Sequence, residues 1–308
     1  MPILVQKGLP AYDILKDENV FVMNEERAEA QDIRPLKIAI VNLMPTKEVT
    51  ETQLVRMLAN TPLQVNLRLL TMESHDSKNA DALHMEKFYE TFDDIVHEKW
   101  DGLIITGAPV ETLPFESVDY WEELVALMEY SKTNVFSTLH LCWGSQAALY
   151  HHYGIGKVPL EQKMFGIFEH KVVDKKSPFI RGFDDIFYVP HSRHTDLPKD
   201  KILACPDLNL LAESDVSGVH MIESKNRRQV FLQGHAEYDW NTLKLEYLRD
   251  LKSGVDIEKP VNYFTDDDPD KDIVVRWSGH GNVFFSNWLN YIYQETPYDL
   301  DDLSKLEW

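Results

Sequence analysis

The run Val135, Phe136, Ser137, Thr138, Leu139, His140, Leu141, Cys142, Trp143, Gly144, Ser145, Gln146 decides how this chain is read. Its first half is apolar without alternation, the pattern of a strand covered on both faces, as in a parallel sheet. The continuation, Ala147, Ala148, Leu149 and Tyr150, consists of good helix formers. A strand therefore stops and a helix starts at Cys142. A thiol at such a corner projects toward solvent, and the N–H groups of the first helical turn, Trp143 foremost, aim at any oxyanion formed beside it. The helix start also favours thiolate over thiol. Against this stands the commoner fate of a free cysteine, a small buried hydrophobe at a strand end.

A second stretch shifts the balance. Phe231, Leu232, Gln233, Gly234, His235, Ala236, Glu237 is another apolar strand, ending in a histidine with an acid two residues on. It supplies the thiol with a base and an orienter for that base. Ninety-three residues separate Cys142 from His235. That spacing suits two neighbouring strands of one open α/β sheet, whose carboxyl ends form ligand sites.

Upstream, a nearly unbroken strand over Leu36 to Met44 is followed by Pro45 and by Thr46 as a helix N-cap. In that helix Glu48 suits the positive N-terminal end, while Lys47 opposes it. Lys47 is expected to extend into water, or else to face an anionic partner. A second strand, Gln64 to Thr71, precedes a polar loop (Glu73 to Asp81) and one helix carrying Met85, Phe88, Phe92, Ile95 and Val96. The third strand, Gly102 to Thr106, ends in the loop Gly107 to Thr112, which includes Glu111. A helix opening at Ser117 shows the apolar stripe Trp121, Leu124, Val125, Met128 and leads into the Cys142 strand. Strands alternating with helices predict a flavodoxin-like, doubly wound, mostly parallel sheet.

Beyond residue 155 the chain is richer in strands, at Gly166 to Val173, Ile186 to Pro190, Leu208 to Ala212, Val219 to Glu223 and Gln229 to Leu232, the last two as a hairpin. The helix after His235 is expected to turn Leu248 and Leu251 inward and to present Glu246 and Arg249, three apart, on its other face. An acidic loop over Asp266 to Asp272 and an aromatic amphipathic helix from Phe284 to Ile292 follow. Residues 1–35 read as an arm over one domain spanning 36–308, with no linker to divide it.

The 308 residues are 44% hydrophobic, and 51 acidic against 31 basic residues give a formal charge of −20. Such a surface disfavours nucleic acid and anionic membrane as partners and leaves any anionic substrate in need of a local basic pocket. Two cysteines, Cys142 and Cys205, give no disulfide framework, and with no secretory signal they suit a reducing cytoplasm. No run reaches membrane-spanning length. No pattern has zinc-ligand spacing, so no metal is expected.

The Cys142 corner paired with His235, Ala236, Glu237 resembles the class I glutamine amidotransferase fold, in which Cys, His and Glu form a triad in that order. His140 departs from it, standing where the corner motif G-x-C-x-G has its first glycine. Across nearly the whole chain the sequence resembles the homoserine O-succinyltransferase family, which uses that fold. The likeness rests on Met1, Pro2, Ile3, on Gly8 to Ala11, on Leu43, Met44, Pro45, Thr46, Lys47, on Gly107 to Glu111, on Leu141 to Gly144, on Pro190, His191, Ser192, Arg193, and on Asn287 to Tyr291.

That resemblance implies acyl transfer from an acyl-CoA to the hydroxyl of L-homoserine, in methionine biosynthesis, with Cys142, His235 and Glu237 as triad and the Trp143 N–H as oxyanion donor. It implies no cofactor; acetyl-CoA is a co-substrate. It puts substrate contacts on Lys163, Ser192 and Arg249, and Glu246 adds the anion that a zwitterionic substrate needs beside a cation. By spacing alone Glu246 and Arg249 are an exposed ion pair of little worth. The resemblance makes position 111 the selector of the acyl donor, with Gly in succinyl-transferring members and Glu in acetyl-transferring ones. A glutamine-hydrolysing amidotransferase, a succinyl-transferring enzyme and a noncatalytic binding module are the alternatives. A homodimer is expected by default, since closed homo-oligomers are common.

Overall fold

Continuous apolar strands in the middle of the sequence become the middle of the sheet. The computed structural model describes residues 3–4, 6, 8–18, 22–23, 34–74 and 81–306. Among them one sheet holds β1 (Ile3–Leu4), β2 (Val22–Met23), β3 (Leu36–Val41), β4 (Val65–Leu70), β5 (Tyr89–Glu90), β6 (Trp100–Ile105), β7 (Val135–Leu141), β8 (Val158–Val172), β9 (Ile186–Asp196), β10 (Leu208–Ser214), β11 (Gly218–Ser224) and β12 (Gln229–Leu232). The spatial order is β2-β1-β4-β3-β6-β7-β12-β11-β10-β8-β9, with β5 beside β4. From β2 to β12 every pairing is parallel; from β12 outward every pairing is antiparallel. The mostly parallel, two-faced α/β sheet expected from the sequence is present.

Helices cover both faces. Ile38, Ile40, Leu67, Leu69, Ile104, Leu139 and Leu141 turn to one side, where α2 (Lys47–Ala59) and α9 (Ser278–Glu295) bury Leu54, Leu58, Phe285 and Trp288 against them. Ala39, Val41, Leu70, Leu103, Ile105 and Phe231 turn to the other, beneath α5 (Trp121–Asn134) and α6 (Trp143–Tyr153). The alternation is the period-2 signature of strands buried on both faces. The α1 helix (Pro10–Asp17) adds Leu9, Ala11 and Leu15 to the first of these cores. Met1, Pro2 and the segment 24–33 lie outside the described residues, as do residues 75–80.

Three local expectations fail, each for a tertiary reason. The helix expected from Met85 to Val96 is two short ones, α3 (Ala82–Phe88) and α4 (Phe92–Ile95). Tyr89 and Glu90 between them pair with Leu69 and Leu70, and a Thr91–Asp94 capping box restarts the helix. The α5 helix begins at Trp121 rather than Ser117, because Phe115–Ser117 close a 3-10 turn. In α8 (Thr242–Lys252), Leu248 and Leu251 face outward, 48% and 46% exposed, and Glu246 turns inward with only 17% of its side chain exposed. Thr46 precedes α2 as expected but makes no side-chain cap.

His140 fits the corner by burial. Its ring stacks on Phe231, centroids 5.0 Å apart, and Nε2 meets Gln229 Oε1 at 2.5 Å. Burial pushes its pKa down to about 4, as it does for His170. The unfolded chain binds these protons near pH 6.5 and the folded chain does not, so stability is full above 6.5 and is lost as pH falls toward 4. Lowering the pH from 7 to 5 is expected to cost about 2 kcal/mol for each of the two, read from guanidinium unfolding. An unchanged unfolding free energy over that interval would contradict their burial as neutral groups.

Candidate active site

Cys142 lies at the corner between β7 and α6 with φ 50° and ψ −115°, a backbone conformation rare outside glycine. Two rungs hold it there. Its N–H donates to Leu232 O at 2.7 Å, closing the β7–β12 ladder, and its carbonyl accepts the N–H of Gln146 at 3.1 Å, opening the helix. Gly144 lets the helix start rest on β6; a Cβ there would come within 2.5 Å of Thr106 O. Gly107 makes room for the thiol itself, since its Cβ would lie 3.2 Å from Cys142 Cβ and 3.8 Å from Sγ.

After β12 the chain leaves the β12–β11 ladder and turns His235 toward this corner. The His235 N–H donates to Pro190 O at 2.8 Å, and its Nδ1 meets Glu237 Oε1 at 2.6 Å. All three groups are buried, at 6%, 4% and 5% exposure for Cys142, His235 and Glu237. Burial resists charge on His235, but the Glu237 carboxylate and the neighbouring Cys142, which is hydrogen-bonded to it, hold its pKa well above the usual value. The opposing oxygen, Glu237 Oε2, is buried without a partner among the described residues. Tyr238, which the sequence reading passed over, stacks on the His235 ring at 4.2 Å between centroids and 9° between planes. Its place beside Glu237 was the one available signal.

A cavity of about 440 Å³ opens beside this line, bordered by Gly107, His235, Tyr238, Gln53, Glu246 and Arg249. Glu246 is the hub of its polar end. Oε1 accepts from Lys163 Nζ at 2.6 Å and from Ser192 Oγ at 2.7 Å, and Arg249 Nη2 lies 3.7 Å away. Arg249 is 66% exposed and turns its guanidinium to Asp250 at 2.7 Å. The four residues named for substrate contact are thus brought together around one carboxylate. Glu111 stands on the β6–α5 loop with Oε1 accepting the His194 N–H at 2.9 Å. Burial raises its carboxyl pKa, against the pull of that N–H and of the neighbouring His194, Arg193 and His235 side chains.

Lys47 corrects the sequence reading. It does not extend into water: it is 5% exposed, donates to the Asn42 carbonyl and lies over the Tyr89 ring. Burial lowers its pKa to about 8 despite the nearby Glu51, whose carboxylate also takes the Tyr89 hydroxyl at 2.6 Å and His84 at 2.9 Å. Both cysteines are free. No helix among the described residues is long and apolar enough to cross a membrane.

A thiol, an imidazole and a carboxylate converging at the carboxyl edge of this sheet define a protein of class I glutamine amidotransferase-like fold. A solved glutamine amidotransferase from Thermotoga maritima superposes with a TM-score of 0.53 at 12% identity, covering 85% of this chain and all of that one. Another, from Methylobacillus flagellatus, gives 0.50 at 11% identity over 84% of this chain and 95% of that one. The chain belongs to the homoserine O-succinyltransferase family, which matches residues 2–298. A homoserine O-acetyltransferase of Petrotoga mobilis is 58% identical over 306 residues, 99% of each chain. One of Bacillus cereus is 59% identical over 301 residues, 97% of this chain and all of that one.

Proposed function

We propose that this chain is a homoserine O-acetyltransferase, which carries acetyl from acetyl-CoA to the hydroxyl of L-homoserine through an acetyl-Cys142 intermediate, in methionine biosynthesis. The observation that carries this reading is that His235 and Glu237, the partners of Cys142, line one cavity together with the Glu246 carboxylate. The names of the two relatives support the same donor and acceptor.

In the first half-reaction the Cys142 thiolate attacks the thioester carbonyl. The Trp143 N–H at the start of α6 steadies the oxyanion, and the CoA thiolate leaves, protonated by His235. In the second, His235, oriented by Glu237 and now neutral, takes the proton of the homoserine hydroxyl as that oxygen attacks acetyl-Cys142; the C–S bond then breaks and Cys142 leaves as the thiolate beside the protonated His235. Arg249 binds the substrate carboxylate and Glu246 its ammonium, with Lys163 and Ser192 fixing the Glu246 carboxylate. Lys47, the first residue of α2, is held against Asn42 and Tyr89 and takes no step in this scheme. No cofactor takes part. We place the reaction in the cytoplasm, assign residues 36–308 to one domain with 1–35 as an arm on it, and take the working assembly to be a homodimer.

Glu111 favours acetyl over succinyl. The free carboxylate of a succinyl group would enter beside a half-buried carboxylate, at a cost of several kcal/mol in a partly desolvated site, whereas acetyl brings neither bulk nor charge. Intact-protein mass spectrometry after separate mixing with acetyl-CoA and succinyl-CoA tests nucleophile and donor together. Glu111→Gly is expected to raise the succinyl-to-acetyl ratio of kcat/KM by about tenfold or more, equivalent to about 1.4 kcal/mol. An unchanged ratio, or wild-type protein that prefers succinyl-CoA, overturns the donor assignment.

A further inference from the structure

Beneath His235 lies a buried cluster that the proposed reaction does not use: His170 on β8, His191 and Arg193 on β9, and His220 on β11, all between 0% and 2% exposed. The three imidazoles bring nitrogen atoms within 4.8 Å of one another, close enough to suggest a metal site. Counting protons gives a different answer. His170 Nδ1 lies 3.0 Å from the Phe168 carbonyl, which can only accept, so that nitrogen carries the proton and Nε2 is a lone pair. Arg193 Nε can only donate and lies 3.2 Å from His191 Nδ1, so the His191 proton is on Nε2. These two assignments are independent, and they agree where the rings meet: His191 Nε2 donates to His170 Nε2 at 3.2 Å. His220 Nδ1 accepts the Gly234 N–H at 3.2 Å, so its proton is on Nε2. A metal on His191 Nε2 would drive that proton to Nδ1, against the Arg193 N–H.

The cluster bears directly on the catalytic turn. A Cβ on Gly234 would come within 2.7 Å of His191 Nε2 and 2.5 Å of Val189 Cγ1, so the residue before His235 is seated on the His191 ring. Arg193 is itself fixed, donating to Thr195 O at 2.5 Å and to Ser217 O, and pairing with Asp196 at 3.0 Å.

We propose that His191 is a positioning residue for His235, held neutral in its Nε2–H tautomer by Arg193 on one side and His170 on the other. The proposal rests on the reading of His235 as the base. Burial and the charge of Arg193 both keep His191 unprotonated.

The test uses the full chain labelled with nitrogen-15 histidine. In imidazole spectra at pH 7, His191 is expected to show a protonated Nε2 and His170 a protonated Nδ1, opposite tautomers, unchanged by added zinc. His191→Gln and His170→Gln variants assign the two signals. Identical tautomers, a charged His191, or signals that move on zinc binding overturn the proposal. The second readout is alkylation of Cys142 by iodoacetamide, which reports the thiol beside its imidazole without any substrate. The groups facing that pair are Glu237, Tyr238 and Glu111, with His191 and His220 below. His191→Asn is expected to slow alkylation at pH 7 about fivefold or more by loosening the imidazole that sustains the thiolate. Wild-type rate in a folded His191→Asn protein overturns the proposal. Neither measurement involves acyl-CoA, so a wild-type chain that fails to transfer acetyl counts against the proposed function alone.

Discussion

Replacing Cys142 with alanine is expected to lower acetyl transfer by a factor on the order of 10⁴ or more and to remove any covalent acetyl adduct from the intact-mass spectrum. The substitution leaves the backbone hydrogen bonds to Leu232 and Gln146 in place, because both use main-chain atoms. Alanine at φ 50° bears the same backbone cost as cysteine, so the loss reports chemistry rather than folding. The control is Cys205→Ala. Cys205 is half-buried against the core at the end of the helix Lys199–Ala204, and its replacement is expected to leave turnover nearly unchanged. An acetylated Cys142→Ala protein, or a dead Cys205→Ala one, would remove Cys142 from the nucleophile's role.

The second large effect belongs to Glu246, and it separates the two half-reactions. Glu246→Gln keeps the size of the side chain but replaces the anion that takes Lys163 Nζ and Ser192 Oγ. Lys163, 15% exposed, keeps among the described residues only the more distant Asp250 at 3.5 Å as a charged partner. A substrate ammonium then meets an excess of positive charge where it needs a carboxylate. Saturation by homoserine is expected to weaken by about 100-fold, equivalent to about 3 kcal/mol, with the rate of Cys142 acetylation changed less than threefold. Stopped-flow release of CoA measures the first step and steady-state kinetics the second. Equal losses in both would mean that Glu246 holds the fold together rather than the substrate.

The fold was legible in the sequence where the signal is local and strong. The apolar runs at Ile38 to Val41 and Leu103 to Ile105, and the mainly apolar Val135 to Leu141, show no alternation, which fits strands buried on both faces, and they are the sheet's centre. The thiol at Cys142 and the pair His235, Glu237 could be named because each follows such a strand directly. What was misread depends on what lies across the fold. Lys47 looks solvated on its helix, but the Tyr89 ring, brought in from β5, covers it, while the Asn42 carbonyl just before α2 takes its ammonium. The α8 helix has an apolar stripe that pattern alone turns inward, but its inner side meets Lys163 and Ser192, so Glu246 faces in and Leu248 and Leu251 face out. The role of β9 was least visible. Register across antiparallel neighbours is not written in composition, and the meeting of His170, His191 and His220 comes from three separate strands.

One strand, β9, touches the site at three points: Pro190 takes the His235 N–H, Ser192 holds Glu246, and the His194 N–H holds Glu111. Between these three, Arg193 is locked on all sides. A change in the path of β9 is therefore expected to displace His235, Glu246 and Glu111 together. Glu111 is different, being carried on a surface loop and tied to β9 by one hydrogen bond. On the proposed role of Glu111, a single substitution there is expected to change donor preference without moving Glu246, Ser192 or Lys163. On that reading the choice of acyl group is mechanically separable from the recognition of the amino acid: the first hangs on one hydrogen bond of a loop, the second on a network fastened to a strand.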